Sequence, residues 1–437
     1  MAAKAMEAMN PEFILFDPVP VQLQVEKGYY QEFTPISTIG DKQQIVIVVN
    51  GTPKQCWDLK KSYLYVRAKI TMPDGSNVGN NTNVTVVNNT LHSMFQQVDL
   101  ELNDKQMSDN NSLYPYGAYI ENELTYERDV QDTWLRAEMF CKDTAGQWAV
   151  FSRANDSTNI GAKTRGICYN GSAEVELMGR PHCDLFKQDR VIPPNCKLTM
   201  KLIPSRDIFV LMTPTPDGGG QVNYRLKITD VRLNIHMLDI SDGMALALKK
   251  MMMTDNARWF LNKTALKLVT IPAGQTTMMQ DNAFLGRLPK RVTICMVADA
   301  AMAGGYQQNP FQFGHFNLNY LVMNVNGDMV PSRPYTPDFA RNAYIREYMS
   351  LYQGLRILFA DKSLNLTYEE FANGYAFFIF DLTPNNHSGA HSPQLSGNIR
   401  IEAKFSQALA ATINMIIYSE YDAIAELDGK GNVISPY

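Results

Sequence analysis

Cysteine is scarce in this chain of 437 residues. No two of its six cysteines have the CxxC spacing of a zinc or redox motif; they are Cys56, Cys141, Cys168, Cys183, Cys196 and Cys295. In a chain of this length, scattered cysteines are typical of small buried hydrophobes. We therefore expect reduced thiols and no framework of disulfides.

Long apolar runs are also missing. The run YAFFIF at residues 375–380 is among the longest, and it is far shorter than the roughly 18–20 residues that a membrane-spanning helix needs. Residues 1–10, MAAKAMEAMN, lack the apolar core and cleavage site of a signal peptide. We expect a protein that is made in the cytosol and has no transmembrane segment.

Charge of one sign is not in excess. The 40 Lys and Arg residues nearly balance the 44 Asp and Glu residues, and the net charge is −4. This balance argues against non-specific binding of nucleic acid over the whole surface, although it does not exclude a local basic patch. Hydrophobic residues at 45% and charged residues at 19% are typical of a globular chain.

The length predicts more than one domain, since single cores stop growing near about 250–300 residues. Residues 1–35 are predicted as an N-terminal arm, because prolines and the stretch EKGYYQEFTPI favour extended chain there. Residues 36–243 and 244–437 are then predicted as two units.

Short strands dominate both units. In the stretch RVIPPNCKLTMKLIPSRDIFVL (residues 190–211), Leu198, Met200 and Leu202 alternate with polar residues, which is the period of a half-buried strand. Other predicted strands lie at residues 44–49, 62–70, 94–102, 226–238, 264–271, 291–299, 316–327, 375–382, 398–405 and 412–422. Helical patches are predicted at residues 116–129, 242–261 and 338–355.

The order of these segments repeats. Five pairs of segments match in the same order along the two halves: QIVIVVNGTPKQ with KLVTIPAGQT, DLELND with VMNVNGD, AYIENEL with AYIREYM, KLTMKLIPS with IRIEAKFSQ, and RLNIHML with TINMIIY. Together they indicate an internal duplication of one all-β unit of about 200 residues. About eight short strands separated by Gly, Pro and Asn turns favour a jelly roll. The predicted fold class is therefore all-β, with two tandem eight-stranded jelly rolls and short helices in the loops and at the junction.

Candidate sites for chemistry are few. His387 and His391 have metal-like spacing but stand in a loop of Gly, Ser and Pro without a third ligand nearby. The trio His182, Cys183 and Asp184 resembles parts of a nucleophilic site, yet a buried structural pair explains it better.

Two pairs of carboxylates are candidates for the acid and base of a glycosidase. Glu369 and Glu370 are adjacent and would face opposite ways in a strand, and the other pair is Glu420 and Asp422. The PDGGG stretch at residues 216–220 lacks the ending of a phosphate-binding loop. We predict no catalytic residue, no cofactor and no metal site.

The remaining candidates are surfaces. Lys249 and Lys250 lie on a predicted helix, where a solvated face is the default and contact with nucleic acid or a partner is the alternative. The aromatic patches at residues 114–126 and 335–352 are expected to be core or subunit contacts rather than ligand pockets. Without chemistry, a duplicated sandwich favours a role in assembly.

Several stretches closely resemble one family. They are SYLYVRAKI, LHSMFQQVDLELND, YPYGAYIENELTYERD, CKDTAG and GRPHCDLFKQDRVIPPNCKLTMKLIPSRDIFVLM. Together they resemble the major capsid protein of Polinton/Maverick elements and the related adintoviruses. The resemblance is good over residues 16–238 and is mainly architectural in the rest of the chain. The sequence departs from that of the family at the Asn-rich loop, residues 76–89, and more broadly in the second half.

The resemblance implies a double jelly roll whose homotrimer presents six rolls in a pseudo-hexagonal block of an icosahedral capsid. It also implies a smaller single jelly-roll protein at the five-fold vertices, and a location in the virion. Residues 125–134 and 145–172 are expected to supply part of the trimer contact. The alternatives are a carbohydrate-binding or glycoside-cleaving β-sandwich and a cell-surface or fibre adhesion module.

Overall fold

The computed structural model of the protein describes residues 22–109, 111–149, 151, 158–214, 222–383 and 395–434. Antiparallel strands form most of this part of the chain, and the helices between them are short. None of the helices in the described ranges has the length and the hydropathy of a membrane span.

The first half contributes ten strands. Eight of them form two four-stranded sheets, in the orders β1-β10-β3-β7 and β2-β8-β5-β6, and the short pair β4-β9 stands apart. Their bounds are β1 Val25–Phe33, β2 Ile45–Asn50, β3 Gln55–Thr71, β4 Thr85–Val86, β5 Phe95–Leu102, β6 Lys105–Gln106, β7 Val175–Gly179, β8 Lys197–Pro204, β9 Leu211–Met212 and β10 Arg225–Ile240.

The second half contributes nine strands in two further sheets. Their orders are β11-β18-β13-β16, with β19 added to β18, and β12-β17-β14-β15. The bounds are β11 Ala257–Ile271, β12 Thr277–Arg287, β13 Arg291–Ala298, β14 Leu318–Val325, β15 Asp328–Tyr335, β16 Phe378–Asp381, β17 Ser396–Phe405, β18 Ile413–Leu427 and β19 Val433–Ile434.

The two halves have one topology. When the eight sheet strands of each half are numbered in chain order, both halves read 1-8-3-6 in one sheet and 2-7-4-5 in the other. Every connection between consecutive strands except the one from strand 4 to strand 5 therefore crosses between the facing sheets of a sandwich, which is the pattern of a jelly roll. The predicted fold class, two tandem eight-stranded jelly rolls, is confirmed. Among the described residues, no sheet combines strands of both halves. The exact limits 36–243 and 244–437 stay a prediction.

The alternation read from the sequence determines what each strand buries. In β8, Leu198, Met200 and Leu202 are fully buried, whereas Lys197 is exposed and Lys201 only partly covered. β8 is an inner strand and pairs with β2 on one side and β5 on the other. Its apolar face therefore contributes to the centre of the first core.

Nine helices lie in the connections of the described chain. They are α1 Thr90–Ser93, α2 Tyr114–Thr125, α3 Arg128–Gln131, α4 Ile160–Cys168, α5 Asp207–Val210, α6 Asp242–Met252, α7 Asp299–Ala303, α8 Ile345–Leu355 and α9 Tyr368–Ala372. α2, α3 and α4 belong to the long connection between β6 and β7, and α8 and α9 to the equivalent connection between β15 and β16. We call these connections, residues 107–174 and 336–377, the first and second excursions.

The junction helix is shorter than predicted. The Ser241 side chain caps α6 by accepting a hydrogen bond from the Met244 amide, and Lys249 and Lys250 favour its C-terminal end. The predicted helix over residues 242–261 is wrong from Met253 onward, since α6 ends at Met252 and β11 begins at Ala257. There the chain enters β11 and pairs with β18 over its whole length, because the ladder outweighs local helix propensity.

Four of the five matched segment pairs fall on equivalent positions. β5 matches β14, α2 matches α8, β8 matches β17, and β10 matches β18. The remaining match is wrong, since it aligned β2, the second strand of its roll, with β11, the first strand of the other. The cause lies in the first roll, whose first strand was read as part of the arm: Val25–Phe33 pairs with β10 as a sheet edge.

Truncation of the β8 core should separate buried from solvent-facing positions. We expect Leu202→Ala to lower the free energy of unfolding by about 2–5 kcal/mol, because it leaves a cavity between well-packed sheets. The control, Lys197→Ala on the exposed side of the same strand, should change it by less than about 1 kcal/mol. Denaturant unfolding of the purified variants measures both, and equal losses would contradict the assignment of the strand faces.

Candidate assembly surface

The two rolls meet across a cluster of aromatic side chains. Tyr119 of α2 stacks on Phe311 of the second roll, with ring centroids 4.4 Å apart and planes 6° from parallel. Tyr116 packs edge-on against Phe311 and Phe313. All four side chains are buried, so the aromatic patch at residues 114–126 lies in the core between the rolls.

A buried ion pair ties the first excursion to both rolls. The Arg165 guanidinium donates to Asp143 at 2.6 Å, to the Val86 carbonyl at 2.9 Å and to the Cys141 carbonyl. Asn309 of the second roll donates to the other Asp143 carboxylate oxygen at 3.1 Å. Because both charged side chains are fully buried, each depends on the other for compensation.

Trp148 makes a second tie between the excursion and the second roll. Its indole N–H donates to the Asn373 carbonyl at 2.8 Å. Gly374 has a φ of +115°, and a Cβ on it would lie 2.1 Å from the indole nitrogen. Only glycine fits this close approach, so this contact requires tryptophan at position 148 and glycine at position 374.

The outer face of α4 is apolar and uncovered in the single chain. The inner face buries Gly161, Ala162 and Arg165, whereas Ile160 and Ile167 are 68% and 54% exposed. Residues seven apart lie on the same side of a helix. α4 therefore presents two large apolar side chains outward from a rigidly anchored segment.

The neighbouring segment of the first excursion adds an aromatic side chain. Trp134 opens a 3₁₀ helix, Trp134–Glu138, and is half exposed while its ring packs edge-on against Tyr126 at 5.0 Å. Trp134 and α4 lie within residues 125–134 and 145–172, the ranges expected to supply subunit contacts. Residues 150 and 152–157 of that second range lie outside the described residues.

The second excursion also carries exposed apolar side chains. Ile345 begins α8 with 61% of its surface exposed, and Phe359 is 96% exposed in the loop that follows the helix. Tyr335 and Tyr344, by contrast, are buried, and Tyr344 stacks on Tyr368 and Phe339. The second aromatic patch thus contributes to the core, and its surroundings contribute exposed surface. We call the exposed Trp134, Ile160, Ile167, Ile345 and Phe359 the excursion surface.

The trio at residues 182–184 has a structural environment. His182 Nδ1 is 2.8 Å from a Glu121 carboxylate oxygen, and Asp184 accepts two hydrogen bonds from Thr264 of the second roll. Burial raises the pKa of the Cys183 thiol to about 12. A thiol with that pKa is almost entirely protonated at neutral pH, and the thiolate is the reactive form.

Three of the four candidate carboxylates are engaged by neighbouring groups. Glu370 caps α9 by accepting from the Thr367 amide and pairs with Lys142 at 2.9 Å. Asp422 pairs with Lys290 at 2.9 Å and Glu420 with Arg291 at 3.5 Å. Glu369 lies beside Glu370 in the first turn of α9. These contacts are those of caps and ion pairs on strand and helix surfaces.

The remaining sequence candidates are a lysine pair, a histidine pair and a glycine-rich stretch. Lys249 and Lys250 are exposed on α6, where none of the residues is buried. His387 and His391, and the PDGGG stretch, fall outside the described residues.

Sequence reasoning missed two groups of buried polar residues. One is the pair of Arg165 and Asp143, and the other contains His92 and Glu138, which lie 3.2 Å apart. All four belong to connections whose sequences carry no periodic pattern. For Arg165, Asp143 and Glu138, the available signal was their position inside a long connection that also contains aromatic residues, which indicates that this connection is packed. The segment that carries His92 contains no Phe, Trp or Tyr and offered no such signal.

Solved structures of other proteins share the architecture of this chain. No protein-family model matches the chain. A protein of Caenorhabditis elegans described as uncharacterised is 24% identical over 402 residues, which is 89% of this chain and 92% of that protein. A chain in the cryo-electron microscopy structure of the Sputnik virophage superposes with a TM-score of 0.67 at 11% identity, over 99% of this chain and 93% of that chain.

Two further solved structures are similar from end to end. The mavirus major capsid protein has a TM-score of 0.52 at 10% identity, covering 100% of this chain and 96% of that one. The Faustovirus major capsid protein has a TM-score of 0.56 at 9% identity, covering 96% and 92%. The fold is the double jelly roll of viral capsid proteins. Because a double jelly roll was also inferred from the duplicated strand order, sequence pattern and tertiary structure agree at this level.

Loss of the buried carboxylate should destabilise the junction of this double jelly roll. We expect Asp143→Ala to lower the free energy of unfolding by roughly 3–5 kcal/mol, because it leaves the buried Arg165 charge uncompensated. The control is Asp132→Ala, which removes exposed pairs with Arg128 and Arg136 and should cost less than about 1 kcal/mol. Denaturant unfolding compares the two, and a small Asp143→Ala effect would show that the junction does not depend on this pair.

Proposed function

We propose that this chain is the major capsid protein of a Polinton/Maverick-like double-stranded DNA virus or element. The observation that carries the proposal is the pair of complete jelly rolls of identical strand order, in a chain matched over nearly its full length by a chain of a virophage structure. The similarity to several viral major capsid proteins supports a capsid role. The stretches of the first half that resemble the Polinton/Maverick family support the narrower assignment.

A duplicated roll suits the tiling of a shell. Two similar but distinct rolls give each chain two non-equivalent sides, so that one chain's first roll contacts the next chain's second roll. Heterologous contacts of this kind close into a ring when the rotation between neighbours is right. Three chains then place six rolls around one axis, and the resulting pseudo-hexagonal block packs into a flat facet.

The excursion surface is the proposed contact between chains. Its apolar side chains project from connections that the Asp143–Arg165 pair and Trp148 hold in place. Obligate interfaces are apolar and bury roughly 2,000–5,000 Å² in total. Exposed isoleucines on an anchored helix are the kind of residue that such an interface covers.

The same proposal places the protein in the virion, after synthesis in the host cytoplasm and with the host nucleus as a candidate place of assembly. The partners would be further copies of this chain and a single jelly-roll protein at the vertices. We propose a structural role without enzymatic activity. The ion pairs and cap that engage Glu370, Glu420 and Asp422 support it, and no observation favours the glycoside-cleaving alternative.

The oligomeric state tests the proposal directly. At micromolar concentration, light scattering coupled to size exclusion should give three times the mass of one chain, because the apolar contact is obligate. Electron micrographs of the same sample should show hexagonal blocks. A mass equal to that of one chain would overturn the proposed assembly.

Charge placed on α4 tests the contact itself. We expect the double variant Ile160→Glu/Ile167→Glu to shift the mass toward the single chain, since two carboxylates cannot be buried in an apolar interface without partners. The control, Leu246→Glu/Met253→Glu, changes two exposed residues of the α6 region and should keep the trimer. Circular dichroism confirms that both variants fold. If the α4 variant remains a trimer, the contact between chains does not involve α4, although the trimer itself would stand.

A further inference from the structure

Three separate connections of the first roll bring two histidines and a glutamate together. His92 comes from α1, Glu138 from the end of the 3₁₀ helix Trp134–Glu138, and His182 from the segment after β7. One ligand-type atom of each lies within 4.8 Å of the other two. His92 and Glu138 are buried and His182 is nearly so, so the cluster is part of the interior.

Each of these side chains is oriented by a second group. The Tyr114 hydroxyl is 2.9 Å from His92 Nδ1, and a Glu121 carboxylate oxygen is 2.8 Å from His182 Nδ1. Asn122 donates to Glu138 Oε2 at 3.2 Å. His92 Nε2 lies 3.2 Å from Glu138 Oε2, and Nε2 is the His182 nitrogen that Glu121 leaves available. An imidazole held at one nitrogen by a carboxylate or hydroxyl while the other faces a shared point is the usual arrangement of a metal-binding histidine.

The charges around the cluster are unbalanced. Glu121, Glu138 and Asp184 supply three carboxylates, whereas Lys187 is the ammonium that pairs with Glu121 at 2.6 Å and approaches Asp184 at 3.8 Å. These carboxylates outnumber the Lys187 ammonium, and a bound divalent cation would add positive charge to the group.

We propose that His92, Glu138 and His182 bind a divalent transition-metal ion, with Nε2 of each histidine and one Glu138 oxygen as ligands. Two imidazoles and one carboxylate form a donor set that zinc accepts, with water completing four-coordination. Tyr114, Glu121 and Asn122 orient the three ligands. The bound ion would join the connections that carry α1, the first excursion and the segment after β7.

Binding of the ion requires the three ligand atoms, which lie within 4.8 Å of one another, to move closer together. Ligands at the about 2.0–2.2 Å typical of zinc stand roughly 3.3 Å from one another, and His92 Nε2 is already 3.2 Å from Glu138 Oε2. His182 adjoins a cavity of about 50 Å³ lined by Tyr114, Glu121 and Thr264, into which its neighbours can adjust. Glu138 itself fills the space where a side chain on Gly179 would stand, since a Cβ there would lie 2.3 Å from Oε1.

The first test measures metal content and affinity of the full chain. The wild-type protein is stripped with a chelator, dialysed with Zn²⁺, and its bound zinc determined by inductively coupled plasma mass spectrometry. We expect one zinc per chain, a rise in the thermal midpoint on adding Zn²⁺ back, and no response to Mg²⁺, which prefers oxygen ligands. Zinc well below one equivalent per chain would overturn the proposal.

The second test uses a pair of matched tyrosines. Tyr114→Phe removes the hydroxyl that orients His92 and should weaken zinc binding about 10–100-fold, as loss of outer-shell partners does. Tyr116→Phe removes a buried hydroxyl that has no hydrogen-bond partner among the described residues and should leave the affinity unchanged. Equal affinities for the two variants would contradict the assigned geometry.

Two further variants establish the location of the ion. Glu138→Gln keeps the shape of a ligand but not its charge and should abolish stoichiometric binding. His387→Ala/His391→Ala removes the other histidine pair with metal-like spacing and should retain one zinc per chain. The reverse result would place the ion at that loop and overturn the proposal. Because these readouts do not involve the oligomeric state, the metal site and the proposed capsid function can fail separately.

Discussion

The Asp143–Arg165 ion pair is the contact on which the arrangement of the two rolls most depends. Neither charge reaches solvent, so the guanidinium must find all its acceptors inside, from β4, from the Cys141 carbonyl and from Asp143. Asp143 in turn accepts from Asn309 of the second roll. Breaking the pair is costly while keeping it adds little net stability. The ion pair therefore restricts the first excursion to one position relative to the rolls.

A second constraint follows from the duplication. Both rolls bury their inner strands in the same order, so their cores differ in side chains but not in topology. What distinguishes the two sides of the chain is the connections, above all the two excursions, which share a helix at the same place and otherwise diverge. In an assembly of identical chains, non-equivalent sides are what allow a ring to close. For the proposed assembly, the divergence of the excursions therefore matters more than the differences between the cores.

The strands that sequence reasoning found bury more apolar surface than most of those it missed. Inner strands such as β3, β8 and β18 bury one or both faces, so their residues alternate or run apolar and the pattern can be recognised. The predictions found the edge strands β2, β11 and β16 but omitted β1, β7, β12 and β15, which are also edge strands, and the two-residue strands. Edges pair on one side only and carry polar residues or proline, as β15 does. Missing β1 also shifted one of the five segment matches by a strand.

The sequence by itself determined the repeated order of strands, and with it the double jelly roll, because period-two burial and turn residues act over a few neighbouring positions. It also indicated that the aromatic stretch around Tyr119 is packed. Only the tertiary structure decided which distant polar residues meet. His92 and Glu138 are 46 positions apart, and they belong to connections without periodicity. Their contact arises where the sheets bring three connections together. The local sequence around each residue therefore does not predict it.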